Sequence, residues 1–409
     1  MSFKMRNMII FVVAGLMIAG CKNSSTDLIN PTNEINESTK TTDEALSETD
    51  IVFQDVEPFK SIEASDCVFV GKTDCQSNVG ELQEMAYTEN GYYYKKDCFI
   101  AGTCGGEQLR FYDYETGLDI EVCSRLECDH ENVDCDAYLS RDVYTHSSRI
   151  WYQNNYIYVP RYYEDYVAIE RITSDGTERE ISCKLMRSNI KITENDDGSI
   201  TSAENLPQIW LHRGYAYFCT YAPGVNPVGL YRVRLDSNDE AELICQIDKQ
   251  GEGYVMMYRV KPYGRYVMFQ MGEYADTDDY TLGIYAYDTE NGSIISVCEN
   301  AIRDYMVHGE FLYYFDLNNN IYRMNLETGK SVLFYENSHA DDSFTKLFSS
   351  ENNIIFEKSG LGKTDSTGKK IEYTLQIIIN QKGETIYKLD SSEDKILTEY
   401  SVDILTKDN

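Results

Sequence analysis

The chain has 409 residues, of which 42% are hydrophobic, so it is long enough to bury a large core. It carries 68 acidic and 37 basic residues, and the resulting formal charge of -31 excludes a nucleic-acid partner, because the phosphate backbone would be repelled. The 34 tyrosines and only 7 prolines favour aromatic strands, and few segments show the period of a helix. The composition therefore predicts an all-β fold.

Residues 1–20 have the features of an export signal. Lys4 and Arg6 give a charged start, and the apolar run that follows is short for a membrane span. The run ends in Met17-Ile18-Ala19-Gly20-Cys21, which resembles the lipobox of bacterial lipoproteins. The resemblance implies cleavage after Gly20, a diacylated Cys21 and a place on the extracytoplasmic face of a bacterial cell membrane. The alternative is an ordinary signal peptide or a short uncleaved anchor.

Residues 21–57 are predicted to be a tether. They begin with the lipidated Cys21 and are mostly Ser, Thr, Asn and Glu, so most of them cannot bury enough apolar surface to become ordered. Removal of the leader deletes two positive charges and changes the formal charge from -31 to -33. Such a field attracts cations or basic partners, or simply keeps an exposed protein soluble. Residues 58–409 are assigned to the folded domain.

A unit of four short strands occurs six times in this domain. Its first turn falls at Gly91, Asn155, Gly214, Gly264, Gly309 and Asn352, with intervals of 64, 59, 50, 45 and 43 residues. Unequal intervals indicate that loops have grown while the strands stayed constant. An apolar residue stands four positions before each turn, as expected for one buried position of a repeated strand: Tyr87, Trp151, Trp210, Val260, Tyr305 and Phe348.

The second strand of each unit is a largely continuous apolar run, such as Phe311 to Phe315, which suits strands covered on both faces. Several third strands lead into a turn with glycine, as in Glu327-Thr328-Gly329. Four-stranded units joined by turns predict a β-propeller of six blades. The flanks Asp66 to Gly71 and Ile396 to Leu405 would make a seventh blade if they pair, which would also protect the open sheet edges.

The repeated glycine-aromatic strands and the third strands Leu230-Tyr231-Arg232 and Ile321-Tyr322-Arg323 resemble a family of propeller domains of unknown function in bacterial lipoproteins, which is similar to the low-density-lipoprotein receptor propeller. The resemblance covers residues 80–405. The YWTD tetrapeptide of the receptor family is absent. The resemblance implies the fold and is silent on activity.

One dense group of metal-ligand residue types lies between the first and second units: Cys123, Cys128, His130 and Cys135. Three thiols and an imidazole match the ligand set of a tetrahedral, structural zinc site. A disulfide between Cys128 and Cys135 is the alternative in an exported protein. Cys123 also sits where Cys183, Cys245 and Cys298 end later units, as a small buried residue would. Cys21 apart, eleven cysteines remain, so at least one is not in an intramolecular disulfide.

The longer insertions fall on one rim of the predicted propeller: Pro160 to Asp165, Thr220 to Pro227, Gly272 to Thr281 and Ser359 to Lys370. Long loops on one rim are where propellers usually bind ligands. The candidate ligand contacts there are Tyr162, Tyr163, Tyr166, Tyr274 and Tyr280, which would stack on a sugar ring or a peptide.

No recognised catalytic motif occurs, since Gly-x-Ser-x-Gly, HExxH and a P-loop are all absent. The sequence therefore favours a lipid-anchored binding module for a protein, peptide or glycan. The alternative is a propeller hydrolase or lyase acting on glycan or peptide at the loop-rich face.

Overall fold

The structure is a computed structural model, and it describes residues 56–57, 85–98, 106–132, 134–140, 149–163, 165–187, 191–194, 200–203, 208–220, 228–247, 254–274, 280–299, 301–337, 343–349, 353–364, 370–380 and 382–390. The leader, Cys21, most of the predicted tether and both predicted flanks lie outside these residues. Among the described residues, none belongs to a helix that is long and apolar enough to cross a bilayer.

Six antiparallel sheets follow one another along the chain, each a meander in which every strand pairs with the next. Sheet one contains Met85–Tyr87, Gly91–Cys98, Gly106–Asp113 and Asp119–Glu121, with Tyr138–Ser140 also paired to its third strand. Sheet two contains Trp151–Gln153, Tyr156–Tyr162, Tyr166–Thr173 and Arg179–Arg187. Sheet three contains Gln208–His212, Tyr215–Thr220, Val228–Arg234 and Glu242–Ile247.

The remaining sheets repeat the pattern. Sheet four contains Tyr254–Tyr263, Tyr266–Tyr274, Tyr280–Asp288 and Ile294–Cys298. Sheet five contains Ile302–His308, Phe311–Phe315, Ile321–Asn325 and Ser331–Tyr335. Sheet six contains Ser343–Ser349, Asn353–Thr364, Lys370–Asn380 and Thr385–Asp390. A hairpin that the sequence did not predict, Lys191–Glu194 with Ile200–Ala203, stands apart from the six sheets.

Four of the six predicted turn residues, Asn155, Gly214, Gly264 and Gly309, have a positive φ; Gly91 instead begins a strand, and Asn352 lies outside the described residues. Gly214 and Gly309 adopt φ values of 80° and 57°, and a Cβ at either position would meet nothing within 4 Å. Glycine is therefore used there for its backbone freedom and not for close packing. Asn155 performs the same role with φ 66°.

The continuous apolar runs are explained by the way in which neighbouring sheets share their side chains. In sheet three, Ala216 and Phe218 pack towards sheet two, whereas Tyr217 and Cys219 pack towards sheet four. Both faces of the strand are thus buried, so alternation of polar and apolar residues is lost. Five core clusters of this kind join sheet one to two, two to three, three to four, four to five and five to six. The fold is a β-propeller, as the repeat predicted.

Polar side chains on the first strands connect successive sheets. His212 Nε2 donates to Gly264 O at 2.7 Å, which links sheet three to sheet four. Lys261 Nζ donates to Tyr305 O at 2.5 Å and lies 2.6 Å from Asp304 Oδ1, which links sheets four and five. The other oxygen of Asp304 accepts from an amide of sheet six. These buried polar groups form hydrogen bonds across the sheet boundaries and so help to specify which sheets are neighbours.

Two details differ from the sequence-based prediction. Val56–Glu57, which the prediction includes in the tether, pairs in parallel with Ile294 and Ile295 at the outer edge of sheet four. The predicted loop from Ser359 to Lys370 is largely strand, because pairing between the second and third strands of sheet six continues to Thr364 and Lys370. Whether a seventh blade forms depends on residues outside the described part of the chain.

Candidate metal centre

The Cys/His segment is an insertion inside the outermost strand of sheet one. Val122 N donates to Leu109 O at 2.9 Å, and Leu109 N donates to Ala137 O at 2.8 Å, so the insertion leaves and re-enters the sheet at one residue. The sequence predicted a position on the loop rim between the first two blades. The structure corrects this, because Tyr138–Ser140 returns to pair with the same strand that Asp119–Glu121 pairs with.

This departure also explains why Cys123 differs from the cysteines that end later blades. Cys183, Cys245 and Cys298 are paired opposite Ile169, Leu230 and Ile284 within their sheets. In sheet one, the amide of Leu109 is instead bonded to Ala137, at the far end of the insertion. The side chain of Cys123 can therefore join the other candidate ligands of the insertion.

The four predicted ligand residues converge. The Sγ atoms of Cys123, Cys128 and Cys135 and a ring nitrogen of His130 all lie within 4.8 Å of one another. His130 Nδ1 lies 3.3 Å from Cys135 Sγ. Cys135 is buried, and the other three side chains are half-buried. Tetrahedral zinc, with Zn–S of about 2.3 Å and Zn–N of about 2.0 Å, requires sulfur–sulfur separations of roughly 3.8 Å. Small side-chain movements would therefore satisfy its geometry.

Hydrogen bonds within the insertion hold this arrangement. Cys128 N donates to Arg125 O and Cys135 N donates to Asn132 O, each at 3.2 Å, so two of the cysteines close tight turns. His130 has a left-handed backbone with φ 58°, and Gln108 Nε2 donates to its carbonyl at 2.6 Å. A non-glycine residue in this conformation is uncommon, and it persists only where its surroundings hold it. Gln108 was missed by the sequence reasoning, since nothing in its type or spacing marks it.

The thiols carry a specific electrostatic constraint. Burial raises the pKa of the Cys135 thiol to about 12; the backbone bond at Ala137 opposes this rise, and the Cys128 and Cys123 thiols add to it. Three thiols that are close together resist joint ionisation in the absence of a cation. A bound metal reverses this preference, because a coordinated thiol is deprotonated outright.

The predicted disulfide is not formed. Cys128 and Cys135 are both free thiols, as are Cys123, Cys183, Cys219, Cys245 and Cys298.

The five candidate tyrosines have different environments. Tyr162 is 3% exposed and belongs to the core between sheets two and three, so it offers no surface to a ligand, and this candidate was wrong. Tyr163 and Tyr166 stack on each other with ring centroids 4.6 Å apart at the end of the hairpin, where both are half-buried. Tyr163 OH donates to Glu170 Oε1 at 3.2 Å. Tyr274 and Tyr280 are paired opposite each other at the end of sheet four, and their side chains lie outside the described structure.

The fold and the site together define a β-propeller with a Cys/His cluster of metal-binding type inserted in its first blade. No protein-family model matches the chain, and no curated protein matches its sequence. Solved structures that resemble it include a prolyl endopeptidase, with 11% identity and a TM-score of 0.44 over 80% of this chain and 44% of that one. The chain thus spans less than half the length of that enzyme.

Two other similar structures are an oligogalacturonate lyase in complex with manganese and BamB from Moraxella catarrhalis. The lyase has 12% identity and a TM-score of 0.38, over 72% of this chain and 75% of that one. BamB has 10% identity and a TM-score of 0.36, over 83% of this chain and 92% of that one. These scores are too low to carry an argument about activity, ligand or partner.

Proposed function

We propose that this protein is a lipid-anchored, extracytoplasmic β-propeller that binds a protein, peptide or glycan, and that its first blade holds a structural zinc ion. The observation that carries the zinc assignment is the convergence of four ligand atoms within 4.8 Å in one insertion. The anchor rests on the lipobox-like residues that end in Cys21. Cys123, Cys128 and Cys135 would supply thiolates and His130 a neutral imidazole, which is the donor set that zinc prefers.

Four protein ligands favour a structural role for the ion. Catalytic zinc sites keep an open position for water or substrate, whereas structural sites are closed by protein donors. The ion would therefore fix the shape of the insertion and would not activate a nucleophile. The closed ligand set therefore supports a binding protein over an enzyme that uses this metal for catalysis. The cluster is the one metal-type cluster found in the described residues.

The insertion presents an apolar side chain to solvent. Ser124 to Glu127 are exposed, and Leu126 among them is fully exposed. A fully exposed leucine on a loop that is held at both ends is a feature of a recognition surface. We assign this tip as a contact for the partner, together with the stacked Tyr163 and Tyr166 at the rim of sheet two.

Zinc content tests the metal assignment. The leaderless protein, purified under reducing conditions and loaded with zinc, is expected to retain one equivalent after gel filtration. Cys128→Ser is expected to lose it, whereas Cys298→Ser, a matched change at a free, half-buried thiol of sheet four, is expected to keep it. An absence of zinc in the unmodified protein, or equal zinc in both variants, would overturn the assignment.

The anchor is tested separately. The full chain expressed in a bacterium is expected to fractionate with membranes and to carry acyl groups at Cys21 by mass spectrometry. Cys21→Ala is expected to abolish the acyl groups and to leave the protein with its leader uncleaved or released from the membrane. Membrane association of the mature protein without acylation would contradict a lipid anchor.

The recognition surface is tested by cross-linking on cells. A photo-reactive phenylalanine analogue at position 126 is expected to give a discrete product that a zinc chelator removes. The control is the same analogue at position 317, where Leu317 is also exposed but lies in the turn between the second and third strands of sheet five. Identical products from both positions, or products that are insensitive to chelation, would argue against the assigned surface.

A further inference from the structure

Arg179 of sheet two contacts the segment that closes the metal-binding insertion. Arg179 opens the outer strand Arg179–Arg187, and its Nη1 donates to Tyr138 O at 3.0 Å. Its Nη2 donates to Asp136 O. The guanidinium thus holds two carbonyls of the segment that directly follows Cys135. Arg179 lies more than forty residues after that segment in the sequence.

The charge of Arg179 has no direct carboxylate partner among the residues that the structure describes. Its Nε is buried and without a hydrogen-bond partner. By contrast, Arg110 pairs with Asp119 and Arg232 pairs with Glu242. Burial lowers the pKa of Arg179. The negative charges of Glu170 and Asp136, which lie farther away, offset only part of this lowering. A cation in such a place is disfavoured unless negative charge lies nearby.

Metal binding would supply that negative charge. Three thiolates around a dication leave a net charge of -1 on the centre. The Asp136 carboxylate adds to it, since its Oδ2 lies 3.8 Å from Cys123 Sγ. The guanidinium of Arg179 already holds the two carbonyls that follow Cys135, so the bound centre and this guanidinium should stabilise each other.

We propose that Arg179 is the counter-charge and positioning residue of the metal centre, and that metal binding thereby fastens sheet one to sheet two. This inference rests on the proposed zinc site. It assigns to zinc a role beyond the insertion itself, because the residue that completes the centre electrostatically belongs to the next blade.

Zinc affinity of arginine variants tests the inference, with a chromophoric chelator as competitor. Arg179→Gln is expected to bind zinc at least about tenfold more weakly, as outer-shell changes commonly do, and Arg179→Lys to retain most of the affinity. Arg171→Gln, in the same sheet but paired with Glu180 and Asp236, is the matched control and should bind like the unmodified protein.

Two further measurements separate charge from distortion. Cobalt bound to Arg179→Gln is expected to keep the absorption spectrum of the unmodified protein, because the four ligands are unchanged. Asp136→Asn is expected to recover zinc affinity in the Arg179→Gln background, since it removes the negative charge that lies beside the Cys123 sulfur. If Arg179→Gln does not fold, Asp136→Asn alone should bind zinc more tightly than the unmodified protein.

Hydrogen exchange reports on the link between the blades. Zinc is expected to slow amide exchange in Arg179–Arg187 of the unmodified protein and not in Arg179→Gln. Equal zinc affinity in Arg179→Gln and the unmodified protein would overturn this inference while leaving the zinc site intact. Absence of zinc from the unmodified protein would instead overturn the proposed function.

Discussion

His130 Nδ1 lies 3.3 Å from Cys135 Sγ, and the His130 backbone is in the left-handed region with φ 58°. The contact joins His130, just before the turn, to Cys135, whose amide closes the turn by donating to Asn132 O. The strained backbone thus turns the imidazole towards the thiols, where a metal ligand is required.

Replacement of His130 tests this geometry. His130→Ala is expected to weaken zinc binding by more than about 100-fold, which exceeds the usual effect of an outer-shell change. His130→Cys is expected to keep one equivalent of zinc, because four thiolates are also a stable zinc ligand set. Chelator competition measures both. Tight zinc binding by His130→Ala would show that the histidine is not a ligand.

Gly106 is predicted to control the centre without touching it. A Cβ at this position would lie 2.2 Å from the ring of Tyr138, which belongs to the strand that returns from the insertion. Gly106→Ala should therefore push that strand away and weaken zinc binding, although all four ligands remain. The double variant Gly106→Ala with Tyr138→Ala removes the clash and is expected to recover affinity. Failure of the second change to restore binding would place the effect elsewhere.

Replacing only one member of the ion pair of Lys261 and Asp304 is predicted to destabilise the fold. Both side chains are under 5% exposed, and Lys261→Met would leave the buried carboxylate with only the longer contact to Arg259 Nε at 3.5 Å. A loss of up to about 3–5 kcal/mol in the free energy of unfolding is expected. Adding Asp304→Asn removes the buried negative charge and should recover part of the loss. Urea unfolding of the single and double variants measures the coupling; simple additivity would contradict it.

Arg265 and Asp288 give a pH-dependent contribution to stability. Burial alone would raise the pKa of Asp288, but the hydrogen bonds and charge of Arg265 and the hydrogen bond from the Glu290 amide together outweigh it and leave the pKa below its usual value. A carboxyl group whose pKa is lowered by folding stabilises the folded protein at pH values above its unfolded-state pKa, which is near 4. This stabilisation is lost as the pH falls towards the folded-state pKa. Arg265→Gln should therefore destabilise the fold at pH 7 by about 1–3 kcal/mol.

The difference between Arg265→Gln and the unmodified protein should shrink as the pH falls from about 4 towards the lowered pKa of Asp288, and should vanish where Asp288 is protonated in both proteins. Urea unfolding across this pH range is the measurement. Arg232→Gln is a suitable comparison, since its partner Glu242 is 60% exposed, and it should cost less than about 1 kcal/mol. A pH-independent difference for Arg265→Gln would contradict the electrostatic account.

Adjacent tyrosines are predicted to respond in opposite ways. Tyr162→Ala removes a ring from the core between sheets two and three and should lower the free energy of unfolding by about 3–5 kcal/mol. Tyr163→Ala removes a half-buried ring at the rim and should cost much less, while reducing any binding at that rim. Thermal unfolding separates the two; a similar loss in both would mean that Tyr163 is also structural.

The repeat could be predicted because propeller strands interact mainly within their own unit. Turn residues such as Gly214 and Gly309 need a positive φ, and apolar runs such as Phe311–Phe315 are buried on both faces, so each leaves a local pattern. The ligand set was visible for the same reason, since all four residues fall within thirteen positions.

Other features left no local pattern. Tyr162 and Tyr163 are neighbours of one type, and only the pairing of their hairpin decides that the first faces the core and the second the rim. The position of the insertion also depends on strand pairing, because Tyr138–Ser140 returns to pair with the same strand as Asp119–Glu121. Strand register is a property of two segments, so neither segment alone reveals it.

By itself, then, the sequence determined the class of fold, the number of repeated units in the described chain and the residue types available for a metal. Only the tertiary structure decided that the three thiols and the imidazole converge as free groups, and that Gln108 and Arg179 support them from other strands. The physical reason is that strand repeats follow from short-range periodicity, whereas a ligand cluster and its counter-charge depend on contacts between segments that are distant along the chain.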